Sequence, residues 1–332
     1  MKNISIKEVA QMANLSTATV SRVINGKGNV TDESQEKVLR AIRELDYHPN
    51  MLGKNLRNSS TGIIIVLANT ISKPFFIEFF ATIQKAAADN NYNILLGQYG
   101  DDEELLMNYV NMVLSRLADG LLLVNHNKYV PYLENICHKF PIVQVCERTP
   151  ESDIPYVSED WYECGYIGTE HLISSGRKNI GFINYNRSAL FARKYYEGYA
   201  AAMKKAGLHM NPKWITEIDD MEMQTAYKAA RQILSQEERP DSIYAVCDLY
   251  APAVIKASKE LGIRIPEDLS LVCGDNSFVA DITAPSVTSL DHRRQTMADA
   301  AFDLLLKQIN NSNSLLHNSV SISPQLIIRE ST

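Results

Sequence analysis

The sequence has few of the features that membrane insertion or export requires. Its longest apolar stretch, Gly62 to Ala68, has the length of a strand, whereas a helix needs about 18 apolar residues to span a bilayer. Glu8 and Gln11 interrupt the N-terminal region where a secretory signal is apolar. We therefore expect neither a membrane protein nor an exported one, and we expect a cytoplasmic location.

Cysteine is scarce, and no two cysteines form a C-x-x-C pair or lie beside histidine at metal-ligand spacing. Cysteines without such spacing are typically reduced, buried thiols, so we predict neither a metal site nor a cofactor. The chain also lacks G-x-x-x-x-G-K-[ST], G-x-S-x-G, and G-x-G-x-x-G after a strand, which argues against an enzyme. The cysteines are Cys137, Cys146, Cys164, Cys247 and Cys273.

The net charge of −6 is unevenly distributed along the chain. Residues 1–60 hold nine Lys and Arg against six Asp and Glu, whereas the remainder holds 24 against 33. A basic N-terminal region on an acidic body is typical of a protein that contacts nucleic acid with one end only.

Three helical patterns and no strand pattern occupy the first 46 residues. Ser5, followed three positions later by Glu8, is a capping box that opens the first helix. Ser16 and Thr31 each precede a further helical pattern, and Pro49 prevents continuation of the third. The spacing predicts a small bundle of three helices.

From Gly62 onward, fully apolar runs alternate with amphipathic helical stretches. Strands that are apolar at every position are buried on both faces, as in a parallel sheet covered by helices. Seven such runs favour two doubly wound parallel-sheet subdomains with a ligand crevice at the carboxyl ends of their strands. The runs are 62–68, 92–98, 119–124, 141–146, 179–184, 241–247 and 269–274.

The second helical pattern carries small polar side chains that suit the major groove of DNA. Thr17, Ala18, Thr19 and Ser21 allow close approach, and Arg22 can donate to guanine O6 and N7. The alternative is a solvated face of a small bundle.

Residues 4–57 closely resemble the headpiece of the LacI/GalR repressor family, on the motif S-x-x-T-V-S-R-V-x-N from Ser16 and the motif Y-x-P-N from Tyr47. The resemblance implies an all-α helix-turn-helix headpiece over 1–48, in which Thr17, Ala18 and Arg22 contact bases. The residues implied to hold phosphates or fix the docking are Ser5, Ser16, Thr19, Ser21, Asn25, Thr31 and Tyr47.

Residues 49–60 resemble the hinge helix and linker of the same family. Asn50 lies in this segment, and Leu56 matches the leucine that wedges into the minor groove. Packing of Leu56 on the headpiece is the alternative. Gly53 replaces a common alanine and weakens a helix by roughly 1 kcal/mol.

The resemblance continues at lower identity to the C-terminus, on landmarks such as Ser72 to Phe76 and Glu197 to Tyr199. It implies an α/β periplasmic-binding-protein-like domain over 61–332 that binds an effector and dimerises. Its N-subdomain is expected over about 61–159 and 291–321, and its C-subdomain over about 160–290 and 322–332.

The resemblance also implies an effector pocket in this domain. Phe75 and Phe76 match an aromatic wall, and Asp275 matches an acidic residue that accepts hydroxyl protons. The alternatives are ordinary core aromatics and a capping aspartate. Three residues of the expected set depart from the family pattern, namely Cys146, Cys247 and Tyr195. Glu147, Arg148 and Arg193 are neighbours that can supply compensating charge, and the expected set is completed by Glu147, Arg193 and Asp248.

Together, these expectations describe a transcriptional repressor. It is expected to bind a palindromic operator as a homodimer and to respond to a small polar effector, sugar-like first and a nucleoside second. The chain has no heptad extension after its last strand pattern, which favours a dimer over a coiled-coil tetramer. An enzyme and a solute-carrying protein are the rivals, and the headpiece argues against both.

Overall fold

The computed structural model describes residues 4–25, 28, 30–48, 60–126, 128–310 and 319–332. The chain divides into two units, Met1–Thr61 and Gly62–Thr332. We call the first unit the headpiece and the second the α/β unit. The expected hinge segment, with Asn50 and Leu56, lies outside the described residues.

Side-chain caps begin the headpiece helices where the sequence predicts them. The backbone N–H of Ser5 donates to the Glu8 carboxylate at 2.7 Å, and the hydroxyls of Ser16 and Thr31 accept from backbone N–H groups of the next turn. Asn14, with φ of 53°, ends the first helix. The helices are α1 Ile6–Ala13, α2 Thr17–Ile24 and α3 Asp32–Glu44.

One small apolar cluster holds the three helices together. Val9 on α1, Val20 on α2 and Val38 on α3 are fully buried, and they pack with Tyr47 beyond the end of α3. Because each helix contributes a residue to this cluster, the outward face of α2 is held in a fixed orientation within the headpiece.

The described part of the α/β unit contains twelve strands in two six-stranded sheets. The first sheet has the order β11-β5-β4-β3-β1-β2 and is parallel throughout, and the second has the order β12-β10-β9-β8-β6-β7 with only β12 antiparallel. The strands are β1 Ile63–Ala68, β2 Asn93–Gln98, β3 Gly120–Val124, β4 Ile142–Cys146, β5 Tyr156–Glu159, β6 Ile180–Tyr185, β7 Ile215–Ile218, β8 Ser242–Ala245, β9 Ser270–Gly274, β10 Thr288–Asp291, β11 Val320–Ile322 and β12 Gln325–Ile327.

Helices cover both sheets, as the fully apolar strands require. Every residue of β3, β4, β8 and β9 is buried. The covering helices are α4 Pro74–Asp89, α5 Glu103–Leu114, α6 Pro131–Ile136, α7 Trp161–Ser174, α8 Leu190–Lys205, α9 Met223–Leu234, α10 Ala251–Glu260, α11 Phe278–Ile282 and α12 Arg294–Asn310.

Two glycines allow α7 and α8 to pack with their backbones in close approach. A Cβ added at Gly165 would collide with the carbonyl oxygen of Tyr195, and one added at Gly198 would collide with that of Tyr162. The landmark around Gly198 therefore has a packing cause, because a side chain there would push α8 away from α7.

Among the described residues, the chain passes between the sheets three times. It leaves the first sheet after Glu159, and it returns after Asp291 to form α12, which packs on the first sheet. It leaves again between Ile322 and Gln325. The predicted architecture of a helical headpiece and two doubly wound sheets is thereby confirmed.

Candidate functional site

The outward face of α2 presents the side chains that the sequence assigned to base contact. Thr17, Ala18 and Arg22 are exposed, whereas Val20 on the opposite face is fully buried. Small side chains beside one long cation match what a helix needs to enter the major groove and donate to guanine.

The residues expected to fix the docking have several local roles. Ser5, Ser16 and Thr31 are exposed caps at helix N-termini. Asn25 donates its side-chain amide to the carbonyl of Ser21 at 2.7 Å, and Thr19 is half-buried with its hydroxyl 2.9 Å from that of Ser16. Tyr47 packs in the headpiece core with only 9% of its surface exposed.

A cavity of about 370 Å³ lies in the α/β unit at the carboxyl ends of the strands. Its lining comes from both sheets: Asn69 follows β1 and Cys146 ends β4, while Tyr185 ends β6 and Asp275 follows β9. We call this cavity the inner cleft. Such a cavity is the usual kind of site for a small ligand in this architecture.

Aromatic rings form one wall of the inner cleft. The ring centroids of Phe75 and Phe76 are 5.2 Å apart, and the ring of Phe75 lies 5.6 Å from that of His292. Trp161, at the start of α7, lies 5.3 Å from His292 and 5.9 Å from Phe191. Both predicted phenylalanines therefore line the cavity, beside three aromatic residues that sequence reasoning missed.

Asp275 enters the cleft on a turn of unusual backbone conformation. Its φ is 90° and that of Asn276 is 47°, so two consecutive residues adopt a positive φ. The Asp275 carboxylate lies 3.3 Å from Nε2 of His292, and its backbone carbonyl accepts from the Arg294 guanidinium at 2.6 Å. This carboxylate is 23% exposed and lines the cavity.

Asp248 lies behind the cleft and is not part of its lining. It is fully buried, and its carboxylate accepts from Ser277 and Ser289. Burial raises the pKa of Asp248 well above its ordinary value, and the charge of Asp275 adds to the effect.

Cys146, Cys247 and Tyr195 line the cleft. Burial raises the pKa of each of the two thiols well above the ordinary cysteine value. Burial raises the pKa of the Tyr195 phenol in the same way. All three groups are therefore neutral at physiological pH, and the thiols are poor nucleophiles.

Glu147 also lines the inner cleft and is only 3% exposed, whereas Arg193 lines an adjoining cavity that also measures about 370 Å³. We call the second cavity the outer chamber. In it the hydroxyl of Tyr99 lies 2.7 Å from Nδ1 of His126, and burial lowers the pKa of His126 to about 4. This histidine is thus neutral at pH 7, and its Nδ1 can accept a hydrogen bond from the tyrosine hydroxyl.

Within the described ranges, no cluster of His, Cys, Asp and Glu could hold a metal ion. None of the helices described there is both long and apolar enough to cross a membrane.

Comparison with known proteins finds two family profiles. Residues 5–50 match bacterial regulatory proteins of the lacI family, and residues 169–332 match the periplasmic binding protein-like domain. The HTH-type transcriptional repressor PurR of Haemophilus influenzae (strain PittEE) is 31% identical over 331 residues, which cover 98% of each chain. PurR of Klebsiella pneumoniae (strain 342) is also 31% identical, over 98% of this chain and 96% of that protein.

Two solved structures share the fold over nearly the whole chain. The complex of the transcriptional regulator CelR with cellobiose has 25% identity and a TM-score of 0.73, and it covers 99% of this chain and 100% of that one. The lac repressor dimer bound to operator and the anti-inducer ONPF has 20% identity, a TM-score of 0.86 and 99% coverage of both chains. The chain belongs to the lacI family of bacterial regulatory proteins, and it is a DNA-binding transcriptional repressor rather than an enzyme.

Proposed function

We propose that this repressor binds an inverted-repeat operator as a homodimer and responds to a small polar effector in the inner cleft. A sugar is the first candidate and a nucleoside the second. The observation that carries the proposal is the cleft itself, because residues from both sheets line one cavity large enough for such a molecule.

The lining suits a ring that carries several hydroxyl groups. The faces of Phe75 and Trp161 can stack on such a ring, while the side chains of Asn69, Asn125 and Asp275 can bind its hydroxyls. The CelR structure, which is similar over nearly the full chain, contains cellobiose. This likeness supports a sugar ahead of a nucleoside.

The operator half of the proposal rests on α2. Thr17, Ala18 and Arg22 are exposed together, and the basic headpiece supplies the electrostatic attraction for phosphates. Because one such helix covers only a half-site, a two-fold dimer and an inverted repeat match each other in symmetry.

An exposed apolar surface on the α/β unit supports the dimer. β2 is the edge strand of the first sheet, yet Leu95 and Leu96 are 38% and 42% exposed. Ile77 on α4 is 55% exposed, and Phe278 at the start of α11 is 47% exposed. The two lie near each other, because the carboxylate of Glu78, next to Ile77, accepts a hydrogen bond from the backbone N–H of Phe278. A second copy of the chain would bury these residues.

The proposed control is a shift in population between two arrangements of the subdomains. An effector changes operator affinity only by its difference in affinity for those arrangements. Residues 49–60 lie in sequence between the three headpiece helices and the α/β unit, and we propose that they transmit the change. A repressor acts where the chromosome is, so we place this one in the cytoplasm.

Fluorescence anisotropy on a pool of short palindromic duplexes, with scrambled duplexes as the control, tests the operator half. We expect selective binding whose affinity falls steeply with salt. Equal, weak binding to both pools at every salt concentration, with and without sugars and nucleosides, would refute the operator proposal.

A further inference from the structure

One ion-paired lysine joins the two subdomains where the inner cleft meets solvent, and we propose that it is a latch. The latch holds the subdomains closed over the cleft before an effector binds, and it opens to admit one. This inference rests on the proposed control by two arrangements of the subdomains. It names a contact that one arrangement has and the other lacks.

Lys73, beside the first sheet, reaches the second-sheet subdomain with its ammonium group. Its Nζ donates to the backbone carbonyl of Met221 at 3.1 Å and to the carboxylate of Glu222 at 3.0 Å. Lys73 and Met221 line the inner cleft, whereas the Glu222 side chain is 66% exposed. The contact therefore lies at the boundary between the cleft and solvent.

Both ends of the latch are held in place by local structure. Lys73 precedes Pro74, which restricts it to an extended backbone, and its φ of −91° and ψ of 144° agree. At the other end, the Asp220 carboxylate accepts from the backbone N–H of Glu222 and from the hydroxyl of Thr225, both at 3.0 Å. Because the two ends are already ordered, little further backbone freedom is lost when the lysine binds.

The topology of the α/β unit places the latch far from the crossovers. These leave the first sheet from β5 and β11, at one edge, and they meet the second at β10, β12 and α7, which packs on β9 and β10. Lys73 follows β1, next to the opposite edge of the first sheet, and Glu222 follows β7, the opposite edge strand of the second. Rotation about the crossovers separates such distant points most, so a contact there opposes opening effectively.

Contacts between the subdomains near the crossovers have a different role. His292 and Arg294 lie just after β10, and they contact the turn of Asp275 and Asn276 at distances of 2.6 to 3.3 Å. Because these residues are close to the axis of rotation, opening displaces them little. They form the pivot about which the latch opens and closes.

The two bonds of the latch differ in strength. The ion pair with Glu222 involves an exposed carboxylate, and water and salt screen such pairs. The bond from the ammonium to the Met221 carbonyl is charge-assisted and lies against the cleft, where screening is weaker. Removing the lysine should therefore open the cleft more than removing the charge of Glu222.

Four cysteines of the parent chain report opening without an added probe. Cys146 and Cys247 line the inner cleft and are 2% and 5% exposed, and we call them the cleft cysteines. Cys164 and Cys273 are fully buried outside its lining, and we call them the core cysteines. Iodoacetamide alkylates a thiol when water reaches it and it can ionise. Mass spectrometry resolves the rate at each cysteine of the full-length protein.

Lys73→Met removes both bonds and keeps the length of the side chain. We expect the cleft cysteines to be alkylated about three- to ten-fold faster than in the parent, with the core cysteines unchanged. Glu222→Gln keeps the bond to the Met221 carbonyl and should raise the rate at the cleft cysteines by about two-fold. Lys205→Met is the matched control, because it removes a pair of 3.1 Å with Glu170 that lies within one subdomain. It should change no rate.

Equal rates at the cleft cysteines in Lys73→Met and the parent would overturn the latch. A rise that the core cysteines share would also overturn it, because the lysine would then support the fold as a whole. Glu222→Gln alters only an exposed side chain, so the absence of any selective rise in that variant would count against the latch too. Alkylation requires no effector and no DNA. Its failure therefore leaves the proposed effector site and operator to be judged by ligand titrations and by the duplex assay.

Discussion

The carboxylate of Asp248 accepts a hydrogen bond of 2.6 Å from the backbone N–H of Ser277 and a second, of 3.1 Å, from the Ser277 hydroxyl. Its other oxygen accepts from the hydroxyl of Ser289 at 2.7 Å. Ser277 lies two residues after Asp275, so these bonds hold the turn that brings Asp275 into the cleft. We infer that Asp248 positions the site from behind.

Two replacements of Asp248 should distinguish the contribution of its hydrogen bonds to stability from the contribution of its charge. Asp248→Ala leaves buried donors of Ser277 and Ser289 without an acceptor, and we expect a loss of about 3 kcal/mol in the free energy of unfolding. Asp248→Asn keeps an acceptor and should cost less than about 1 kcal/mol. Urea unfolding followed by circular dichroism measures both. Equal losses in the two variants would mean that the ionised carboxylate is required.

Glu159 makes the stability of the α/β unit depend on pH. It is 2% exposed, and neither of its carboxylate oxygens accepts a hydrogen bond from another described residue. Burial raises the pKa of Glu159 well above 4.5. The folded chain therefore retains this proton to higher pH than the unfolded chain. The contribution to stability is full below the unfolded pKa and is lost as pH rises through the folded pKa.

Glu159→Gln should remove this dependence, because the amide is neutral at every pH. We expect the variant to gain thermal stability relative to the parent as the pH rises from 5 to 9. Glu170→Gln is the matched control, since Glu170 is exposed on α7 and paired with Lys205 at 3.1 Å. It should show no such gain. Parallel pH profiles for Glu159→Gln and the parent protein would refute the argument.

Seven strands could be predicted because each lies in an apolar run, although β2 is an edge strand on which Leu95 and Leu96 are exposed rather than buried on both faces. The remaining five strands could not be predicted from apolar runs, because they are short and partly polar. β5, β7, β10, β11 and β12 are only three or four residues long, and several contain polar residues. Ser158 on β5 and Thr288 on β10 become buried through tertiary contacts. Periodicity in a window of that length cannot distinguish a strand from a loop.

The site was predictable where a side chain comes directly from a strand end or a recognisable motif. Asp275 follows one apolar run and Cys146 ends another, and the structure places both in the inner cleft. Trp161 and His292 carried no such signal, because each follows one of the short strands that were missed. Asp248 stands in a landmark of the family, yet its contacts with Ser277 and Ser289 keep it behind the lining.

Arg22 should contribute to the sequence preference of the headpiece. We expect Arg22→Ala to lower affinity for the selected duplex by about 10- to 100-fold and to relax the preference at one base pair of each half-site. Arg40→Ala removes an exposed arginine from α3 and should weaken selected and scrambled duplexes alike. Anisotropy titrations compare the two. If Arg22→Ala weakens both duplexes equally, Arg22 contacts only phosphate.

Charge introduced on the edge strand should break the proposed dimer. Leu96→Lys places an ammonium where a second chain would bury an apolar side chain, so the variant should sediment as a monomer at concentrations where the parent is a dimer. Leu117→Lys is the control, because Leu117 is 50% exposed after α5 and belongs to none of the elements of the proposed interface. Loss of the dimer in both variants would point to a general effect of charge.

Trp161 should report effector binding by its fluorescence. The chain has two tryptophans, and only Trp161 lines the inner cleft, whereas Trp214 is 7% exposed and donates Nε1–H to the carbonyl of Glu238 at 3.0 Å. A ligand stacked against Trp161 changes the polarity around its ring, so we expect saturable changes in emission when sugars and nucleosides are titrated. Trp161→Phe should abolish the change, and Trp214→Phe should preserve it. If the signal instead disappears with Trp214→Phe, the ligand binds outside the inner cleft.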